Sequence, residues 1–182
     1  MAGHTGLLGS AILRRLKFGR YMNVITRTHA ELDLTNGAAV QAIFQTERPE
    51  YVILAAAKVG GIWANDTYQA EFIHTNLAIQ NSVIDAAYRA GVRRLIFLGS
   101  NCAYPKDAPQ PMSEEHLLTG ALESTSEAYA IAKIAGMAMC AAYNRQYGTS
   151  FVSLIPPTIF GPRDHFDSQS SHVLSALMDR FD

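Results

Sequence analysis

The strongest constraint on the fold of this 182-residue chain is a regular alternation of short apolar runs with longer helical stretches. Continuous apolar runs of this length are typical of strands buried on both faces of a parallel sheet. The runs occupy residues 21–26, 51–55, 94–98 and 151–155, and the helical stretches occupy residues 7–18, 37–47, 67–90 and 127–147. Strands and helices in this order form βαβ units, so we predict one α/β domain over residues 1–182, with a Rossmann-like doubly wound parallel sheet.

The two ends of the chain fit this fold less well. The motif Gly3-x-x-Gly6-x-x-Gly9 leads into the first helix, yet only Met1 and Ala2 precede it, where the fold requires a central strand. The other end, residues 179–182, stops without a helix-ending signal. We therefore expect a piece of a longer protein that lacks the first strand.

Composition excludes several classes of function. Fifteen Lys and Arg residues against sixteen Asp and Glu residues leave no basic surface for nucleic acid. No apolar run approaches the roughly 18 residues that span a bilayer, and the start does not resemble a signal peptide. Cys102 and Cys140 form no CxxC motif and the histidines lack HExxH spacing, so no metal is expected. The sequence predicts a soluble cytoplasmic protein without nucleic-acid or membrane partners.

The glycine motif has the spacing of a dinucleotide-binding loop. Such glycines allow a tight turn and a close approach of the backbone to a pyrophosphate, and the helix that follows attracts phosphate to its N-terminus. After the next strand, Arg27 and His29 stand where a 2′-phosphate is held, which favours NADP over NAD. Asp33 is a candidate acceptor for the adenine amine. An ordinary solvated loop is the alternative for each of these charged residues.

Three further residues indicate carbonyl reduction. Tyr129 and Lys133 are four residues apart on a predicted helix, so their side chains share one face. A neighbouring ammonium is expected to lower the pKa of Tyr129 from about 10, which makes it a proton donor to a carbonyl oxygen. Ser100, at a strand end, is expected to hold the same oxygen. The alternative for the YxxxK spacing is a solvated lysine beside a core tyrosine. A Ser-x-x-Glu pattern, Ser124 to Glu127, predicts a capping box at the start of this helix.

Several longer motifs are far more specific than this general pattern. They are AAAKVGGI at 55–62, LGSNCAYPK at 98–106, YAIAKIAG at 129–136, YNRQYG at 143–148 and FGP at 160–162. Together with the glycine motif they resemble the GDP-L-fucose synthase family of extended short-chain dehydrogenases/reductases. The resemblance runs along the whole chain, and it implies a C-terminal substrate domain that this chain lacks.

The resemblance implies the conversion of GDP-4-keto-6-deoxy-D-mannose to GDP-L-fucose. Epimerisation at C3 and C5 would precede an NADPH-dependent reduction of the C4 ketone. Cys102 matches the family's base and His172 its acid, while Ser100, Tyr129 and Lys133 match the reductive triad, which also stabilises the enolate oxygen. The substrate contacts that the resemblance implies are Lys58, Asn101, His172 and Arg180.

The resemblance also implies the cofactor contacts and a partner. Besides Arg27, His29 and Asp33, the expected NADP contacts are Gly3, Gly6, Leu7, Leu8, Gly9, Leu34, Ala55, Ala56, Leu98, Gly99, Ser100, Tyr129, Lys133, Pro156, Thr158 and Ile159. The substrate is a GDP-sugar. The helices at 67–90 and 127–147 are expected to pair across a homodimer, with packing on the chain's own sheet as the alternative.

Three residues depart from the family pattern. Thr5 and His29 stand where arginines are expected, which weakens the preference for NADP over NAD, and Thr158 stands where asparagine is expected. Two other functions stay open: a different nucleotide-sugar epimerase or dehydratase with tightly held NAD, and an inactive NADP-binding fragment. Cys102 and His172 argue against the first, because a simple 4-epimerase needs no acid–base pair for the neighbouring carbons. The missing segments favour the second for the chain as given.

Overall fold

Three parallel strands form the centre of the structure, a computed structural model that describes residues 1–164 together with Ser175, Leu177 and Met178. The strands are β1 (Tyr51–Leu54), β2 (Arg94–Leu98) and β3 (Phe151–Leu154), in the order β1-β2-β3. The helices are α1 (Leu7–Phe18), α2 (Gly37–Glu47), α3 (Ile62–Thr67), α4 (Gln69–Arg89) and α5 (Glu127–Tyr147). Short 3-10 turns lie at Asn101–Ala103, Glu114–His116 and Ser124–Ser126. The α/β fold with a parallel sheet is therefore confirmed.

The register of the sheet aligns the carboxyl ends of its strands. Leu54 pairs with Phe97 between β1 and β2, and Leu98 pairs with Leu154 between β2 and β3. On the other side of β1, Ala2 forms an isolated parallel bridge with Leu54, through two backbone hydrogen bonds of 2.9 and 3.0 Å. Ala2 thus lies where the fold places its first strand, directly before the glycine motif.

The prediction of a strand at residues 21–26 is wrong, because this segment has no ladder. Its backbone contact with its neighbour is a single hydrogen bond of 2.7 Å, from the Met1 amino group to the Ile25 carbonyl. A parallel strand is stabilised by a row of hydrogen bonds to a neighbouring strand. In the structure these apolar residues form an extended connection between α1 and α2.

Three of the four predicted helices have the bounds that the sequence indicated, namely α1, α2 and α5. The predicted helix at 67–90 instead divides at Tyr68, whose φ of −112° and ψ of 37° are not helical. The residues before it form α3, which begins after Gly61. The amide of Asn65 holds that start by donating to the Gly60 and Gly61 carbonyls at 2.7 and 3.0 Å.

The predicted capping box at Ser124 and Glu127 is also wrong. Ser126 precedes α5 and makes no side-chain cap, while Ser124 belongs to a 3-10 turn. The carboxylate of Glu123 accepts from the Thr125 amide at 3.4 Å. The side chain that caps this turn is therefore that of Glu123, the residue directly before it.

Close packing on α4 and β2 fixes the position of α5. Gln80 of α4 is buried, and its amide nitrogen donates to the Ala132 carbonyl of α5 at 2.7 Å. A Cβ on Gly136 would come within 2.4 Å of the Phe97 ring and 2.7 Å of the Gln80 side chain. The absence of a side chain at Gly136 therefore lets α5 lie against the sheet. Among the helices within the described residues, none combines the length and apolarity needed to cross a membrane.

Candidate active site

A cavity of about 820 Å³ opens at the carboxyl ends of the three strands. This is the edge at which open α/β sheets bind their ligands. The segments that follow each strand line the cavity, at residues 55–60, 98–102 and 156–159, together with the glycine loop and one face of α5. All of the predicted cofactor contacts line it except Asp33, and so do Lys58, Asn101 and Cys102.

The glycine loop approaches the end of β1 too closely for side chains at two of its three glycines. A Cβ on Gly3, whose φ is +81°, would meet the Ala56 amide nitrogen at 2.4 Å. A Cβ on Gly9 would lie 1.8 Å from the Gly3 carbonyl oxygen. At Gly6 a Cβ would lie 3.8 Å from the Gly3 carbonyl oxygen, an ordinary van der Waals contact, so a side chain fits there. The loop at residues 3–9, called the cradle below, therefore presents backbone atoms without side chains at its three glycines.

The start of α1 offers unpaired donors to this cradle. Gly6 precedes the helix and provides no side-chain cap. Among the described residues, no backbone acceptor pairs with the amides of Leu7 and Leu8, and the first helical bond runs from the Ser10 amide to the Gly6 carbonyl at 2.8 Å. Free amides at a helix N-terminus bind anionic groups such as phosphate. The residues present therefore fit a pyrophosphate.

The segment between α1 and α2 contributes charged residues to the cavity. Arg27 Nη2 donates to Glu47 Oε1 at 2.6 Å, and Arg27 Nη1 donates to the Thr26 carbonyl at 2.9 Å. His29 lines the cavity with its side chain exposed. Asp33 does not line it, and its carboxylate instead accepts from the Thr35 amide and hydroxyl at 2.9 and 2.8 Å. Asp33 therefore closes a local turn.

Ser100, Tyr129 and Lys133 lie together beneath the end of β2. The Ser100 side chain is near enough to the Tyr129 hydroxyl to offset part of the rise in its pKa, and the Ser100 Oγ accepts from the Cys102 amide at 3.2 Å. Lys133 is 4% exposed, and its ammonium donates to the Leu98 carbonyl at 2.8 Å. The ammonium also lies over the rings of Phe97 and Tyr129, 5.0 and 5.7 Å from their centroids. The structure thus brings the three predicted residues together.

Burial controls the protonation of this group. It raises the pKa of Tyr129 to about 12, with a smaller rise from the nearby Cys102 and a decrease from the Ser100 hydrogen bond. Burial lowers the pKa of Lys133 to about 8. The expectation that Lys133 lowers the pKa of Tyr129 is therefore wrong, because desolvation of the phenol dominates. At neutral pH, Tyr129 is a neutral phenol with a proton to donate.

Lys133 has more donors than partners. Its ammonium carries three hydrogens, and the Leu98 carbonyl is its one hydrogen-bond acceptor among the described residues. A buried cation with unpaired donors beside a cavity is destabilising unless a ligand supplies acceptors. Hydroxyl groups of a nucleotide ribose have the required chemistry. The fit therefore extends from the pyrophosphate cradle to the ribose beyond it.

Cys102, Asn101 and Lys58 form the rest of the predicted chemistry on the cavity wall. Cys102 is a free, partly buried thiol in the turn after β2. Asn101 donates to the Thr158 hydroxyl at 3.3 Å, which joins the segments after β2 and β3. The Lys58 ammonium pairs with Glu71 at 2.5 Å, and its backbone is held by Asn76. His172 and Arg180 lie outside the described residues.

The sequence analysis missed several residues of the cavity wall. Glu47 lines the cavity as the partner of Arg27, and its place at the end of α2 gave no sequence signal. His4 and Arg163 also line it, and Arg163 has a left-handed φ of +73°. Arg163 lies in the segment after β3, nine residues beyond Leu154, and the rule that ligands bind at the carboxyl ends of strands indicates this segment. Within the described residues no cluster of metal-ligating side chains is present.

Comparisons with known proteins agree with this geometry. The sequence pattern of the NAD dependent epimerase/dehydratase family matches residues 1–182. The chain is 57% identical to GDP-L-fucose synthase 1 of Arabidopsis thaliana and 51% identical to GDP-L-fucose synthase of Escherichia coli (strain K12), each over 181 residues. Both alignments cover 100% of this chain and 56% of the relative, so the chain spans about half the length of the curated relatives it matches.

A solved structure is similar over the same part. It is a GDP-mannoheptose C4 reductase from Campylobacter jejuni with NADP bound, which matches with a TM-score of 0.90 at 40% identity. The match covers 99% of this chain and 55% of that one. The relatives and this structure thus share the described domain.

Proposed function

The chain belongs to the NAD dependent epimerase/dehydratase family, and we propose that it carries the active site of an NADPH-dependent GDP-sugar epimerase and reductase. The proposed reaction converts GDP-4-keto-6-deoxy-D-mannose to GDP-L-fucose. The observation that carries the proposal is the grouping of Ser100, Cys102 and Tyr129 on a cavity that the glycine loop also lines. The relatives named GDP-L-fucose synthase support the choice of sugar.

Different residues of the cavity would bind different parts of the proposed cofactor. The amides at the start of α1 would hold the pyrophosphate, Arg27 a 2′-phosphate, and Lys133 the ribose hydroxyls next to the nicotinamide. A bound NADPH supplies the hydride that reduces C4. The similarity to a reductase with NADP bound supports this choice.

In the reduction, Ser100 and Tyr129 hold the C4 oxygen between two hydrogen bonds. Tyr129 then donates its proton to that oxygen as the carbonyl becomes an alcohol. The nearby Lys133 ammonium stabilises the phenolate that remains. A neutral phenol with a raised pKa suits a donor role, because the proton is present at every pH below about 12.

The proposed epimerisation uses the same oxygen contacts. The C4 ketone acidifies the protons on C3 and C5, so a base can remove each of them to leave an enolate. Ser100 and Tyr129 stabilise the negative charge on the enolate oxygen. The Cys102 thiolate takes the proton from one face, and His172 returns one to the opposite face in this proposal, which inverts the carbon.

Deuterium incorporation tests the epimerase half of the proposal. With the GDP-keto sugar and NADPH in D₂O, we expect the product to carry deuterium at C3 and C5. Cys102→Ser should reduce that incorporation by about 10²-fold or more, since a hydroxyl is a far weaker base than a thiolate. Cys140→Ser, which alters the buried cysteine of α5 away from the cavity, is the matched control.

A C4 reductase without epimerase activity is the second candidate function. The similarity to the GDP-mannoheptose C4 reductase favours it. Sugar-dependent oxidation of NADPH without deuterium at C3 or C5 would support this candidate and contradict the epimerase assignment of Cys102.

We also propose that the protein acts as a homodimer in the cytoplasm. Ile131, Ala138 and Ala142 support the dimer, because they are exposed and fall along one face of α5 at spacings of seven and four residues. Small and apolar residues at such spacings let two helices approach closely.

A further inference from the structure

A tight turn after β3 holds an arginine in a backbone conformation that arginine rarely adopts. The Asp164 amide donates to the Gly161 carbonyl at 3.1 Å, and Pro162 and Arg163 occupy the two central positions of the turn. Arg163 has a φ of +73°. Proline at the first central position and a positive φ at the second are the signature of a type II turn, in which glycine or asparagine is preferred where Arg163 stands. The chain therefore carries an arginine here against the preference of the backbone.

Arg163 is also a cavity cation that the protein leaves without an acceptor. Four Lys and Arg residues line the cavity. The other three each donate a hydrogen bond to the protein, namely Arg27, Lys58 and Lys133. The Arg163 side chain is exposed, and it donates no hydrogen bond and makes no ion pair among the described residues. The neighbouring Asp164 carboxylate instead accepts from the Ser175 hydroxyl at 2.6 Å. All five donors of the Arg163 guanidinium are therefore available to a ligand.

The turn lies against the start of α1. A Cβ built on Gly161 would lie 3.6 Å from Leu7 Cδ1, and Leu7 is the first residue of the helix. Arg163 is two residues further along, at most about 7 Å of chain from that contact, and it lines the same cavity as the cradle. The Arg163 guanidinium is therefore within reach of phosphates held by the unpaired amides of Leu7 and Leu8.

The cradle itself offers little positive charge to such phosphates. His4 is the one ionisable side chain of the cradle, and the dipole of α1 amounts to about half an elementary charge. The buried Lys133 ammonium, which has unused donors in the same cavity, indicates independently that the cavity holds a polar ligand. A pyrophosphate is negative at both phosphates, and a guanidinium fork donates two parallel hydrogen bonds to phosphate oxygens.

We propose that Arg163 binds the pyrophosphate of the dinucleotide, together with the free amides of α1. The strained turn fixes where the guanidinium starts, so the arginine is positioned before the ligand arrives. This inference rests on the proposed function, because it assumes that the cavity binds a nicotinamide dinucleotide. It predicts a contribution that is the same for NADPH and NADH, since the two share the pyrophosphate and differ at the 2′ position.

Arg163→Gln tests the contact by removing the charge and the fork. We expect the dissociation constants of NADPH and NADH both to rise about tenfold, with their ratio unchanged within about twofold. The constants are measured from nicotinamide fluorescence without sugar. Arg163→Lys keeps the charge and loses the fork, so it should show a smaller rise for both. Arg20→Gln is the matched control, because Arg20 is exposed, has a φ of +59° and lies outside the cavity lining. It should leave both constants unchanged.

Arg163→Gly separates a ligand contact from a role in the turn. Glycine adopts a positive φ without strain, so the melting temperature should stay close to that of wild type while both dissociation constants rise as in Arg163→Gln. A lower melting temperature with unchanged affinities would assign Arg163 to the stability of the turn and overturn the inference.

The remaining outcomes separate this inference from the proposed function. A parallel loss of affinity for NADPH and NADH, absent from Arg20→Gln, supports the inference. A loss confined to NADPH would assign Arg163 to the 2′-phosphate, and unchanged affinities with a raised KM for the GDP-sugar would assign it to the diphosphate of the sugar. Either result overturns the inference and leaves the proposed function standing. Failure of the wild-type chain to bind either dinucleotide overturns both.

Discussion

Lys133 is the residue whose environment deviates most from what its side chain prefers. An ammonium that is 4% exposed keeps one carbonyl partner, the end of β2 at Leu98, and two aromatic neighbours. Removing an ammonium from water is destabilising, and a single hydrogen bond does not offset that loss. We interpret the arrangement as a site that is completed by a ligand, at the expense of the stability of the free protein.

The lowered pKa of Lys133 predicts how stability varies with pH. Below pH 8 the ammonium is charged in both the folded and the unfolded chain, so the folded state bears the full desolvation penalty. Between about 8 and 10.5 the folded chain releases this proton while the unfolded chain retains it, so the free energy of unfolding rises with pH. The whole shift corresponds to up to about 3 kcal/mol.

Lys133→Met tests this directly, because methionine fills similar space without a charge. We expect the variant to be more stable than wild type at pH 7 by about 1–3 kcal/mol, with the difference shrinking as the pH rises from 8 to 10. Urea titrations at several pH values measure it. A difference that stays constant with pH would show that Lys133 does not have a lowered pKa.

Tyr129→Phe separates the hydroxyl of this residue from its ring. The ring packs edge-on against Phe72, with centroids 6.3 Å apart, so the variant should keep its fold and its NADPH affinity. Without the proton donor we expect the rate of ketone reduction to fall by about 10²–10⁴-fold. Tyr143→Phe is a matched control on the same helix, since that hydroxyl donates to Asp85 at 3.1 Å and lies outside the cavity lining. Reduction at the wild-type rate in Tyr129→Phe would exclude the donor role.

At the residue scale, sequence spacing was sufficient to predict that Ser100, Tyr129 and Lys133 lie together. It was not sufficient to predict their protonation states. The four-residue spacing on α5 follows from helix geometry alone. The direction of the Tyr129 pKa shift depends on how much water the packed protein excludes, and a sequence does not contain that quantity. The Arg27–Glu47 pair was missed for a similar reason, because its partners are twenty residues apart.

At the scale of elements, the connection between the glycine loop and α1 is the feature most sensitive to added atoms. The Gly3 carbonyl occupies the place that a side chain on Gly9 would need, and Gly3 itself lies against the backbone that follows β1. The loop, α1 and the end of β1 are therefore packed without room for a side chain at Gly3 or Gly9.

Two alanine substitutions test how tightly the glycine loop is packed at Gly9 and at Gly6. Gly9→Ala places a Cβ 1.8 Å from the Gly3 oxygen, so we expect a loss of about 2–4 kcal/mol in stability. In Gly6→Ala the Cβ would make an ordinary van der Waals contact on an extended backbone, so stability should stay within about 1 kcal/mol of wild type. Thermal unfolding measures both. Equal destabilisation by the two substitutions would contradict the geometry of the cradle.

The sequence was informative about elements wherever local signals decide the outcome. The bounds of α1, α2 and α5 follow from their composition and helical periodicity. The prediction of a strand at 21–26 failed because a strand requires hydrogen bonds to a neighbouring strand. A run of apolar residues does not show whether those hydrogen bonds form. The division at Tyr68 accompanies an earlier helix start at α3, which Asn65 holds through hydrogen bonds to the Gly60 and Gly61 carbonyls.

At the scale of the whole molecule, the described domain brings the glycine loop and the proposed reductive residues, Ser100, Tyr129 and Lys133, to one cavity. Its relatives are longer, since this chain covers 56% of their length. His172 and Arg180, the remaining predicted residues, lie outside the described part.

The homodimer is a prediction at this scale. If Ile131, Ala138 and Ala142 pack against a second copy, the chain should sediment as a dimer at micromolar concentration. Ala138→Glu would place a charge in that interface and should shift the equilibrium to monomer without lowering the melting temperature of the monomer. Sedimentation of the wild-type chain as a monomer at these concentrations would contradict the prediction.

The most direct test of the central claim is the loss of NADPH absorbance at 340 nm when the chain is mixed with GDP-4-keto-6-deoxy-D-mannose. The account predicts oxidation that requires the sugar, that Tyr129→Phe abolishes, and that Tyr143→Phe leaves unchanged. Sugar-dependent oxidation that persists in Tyr129→Phe would contradict the claim that this cavity carries the reductive site.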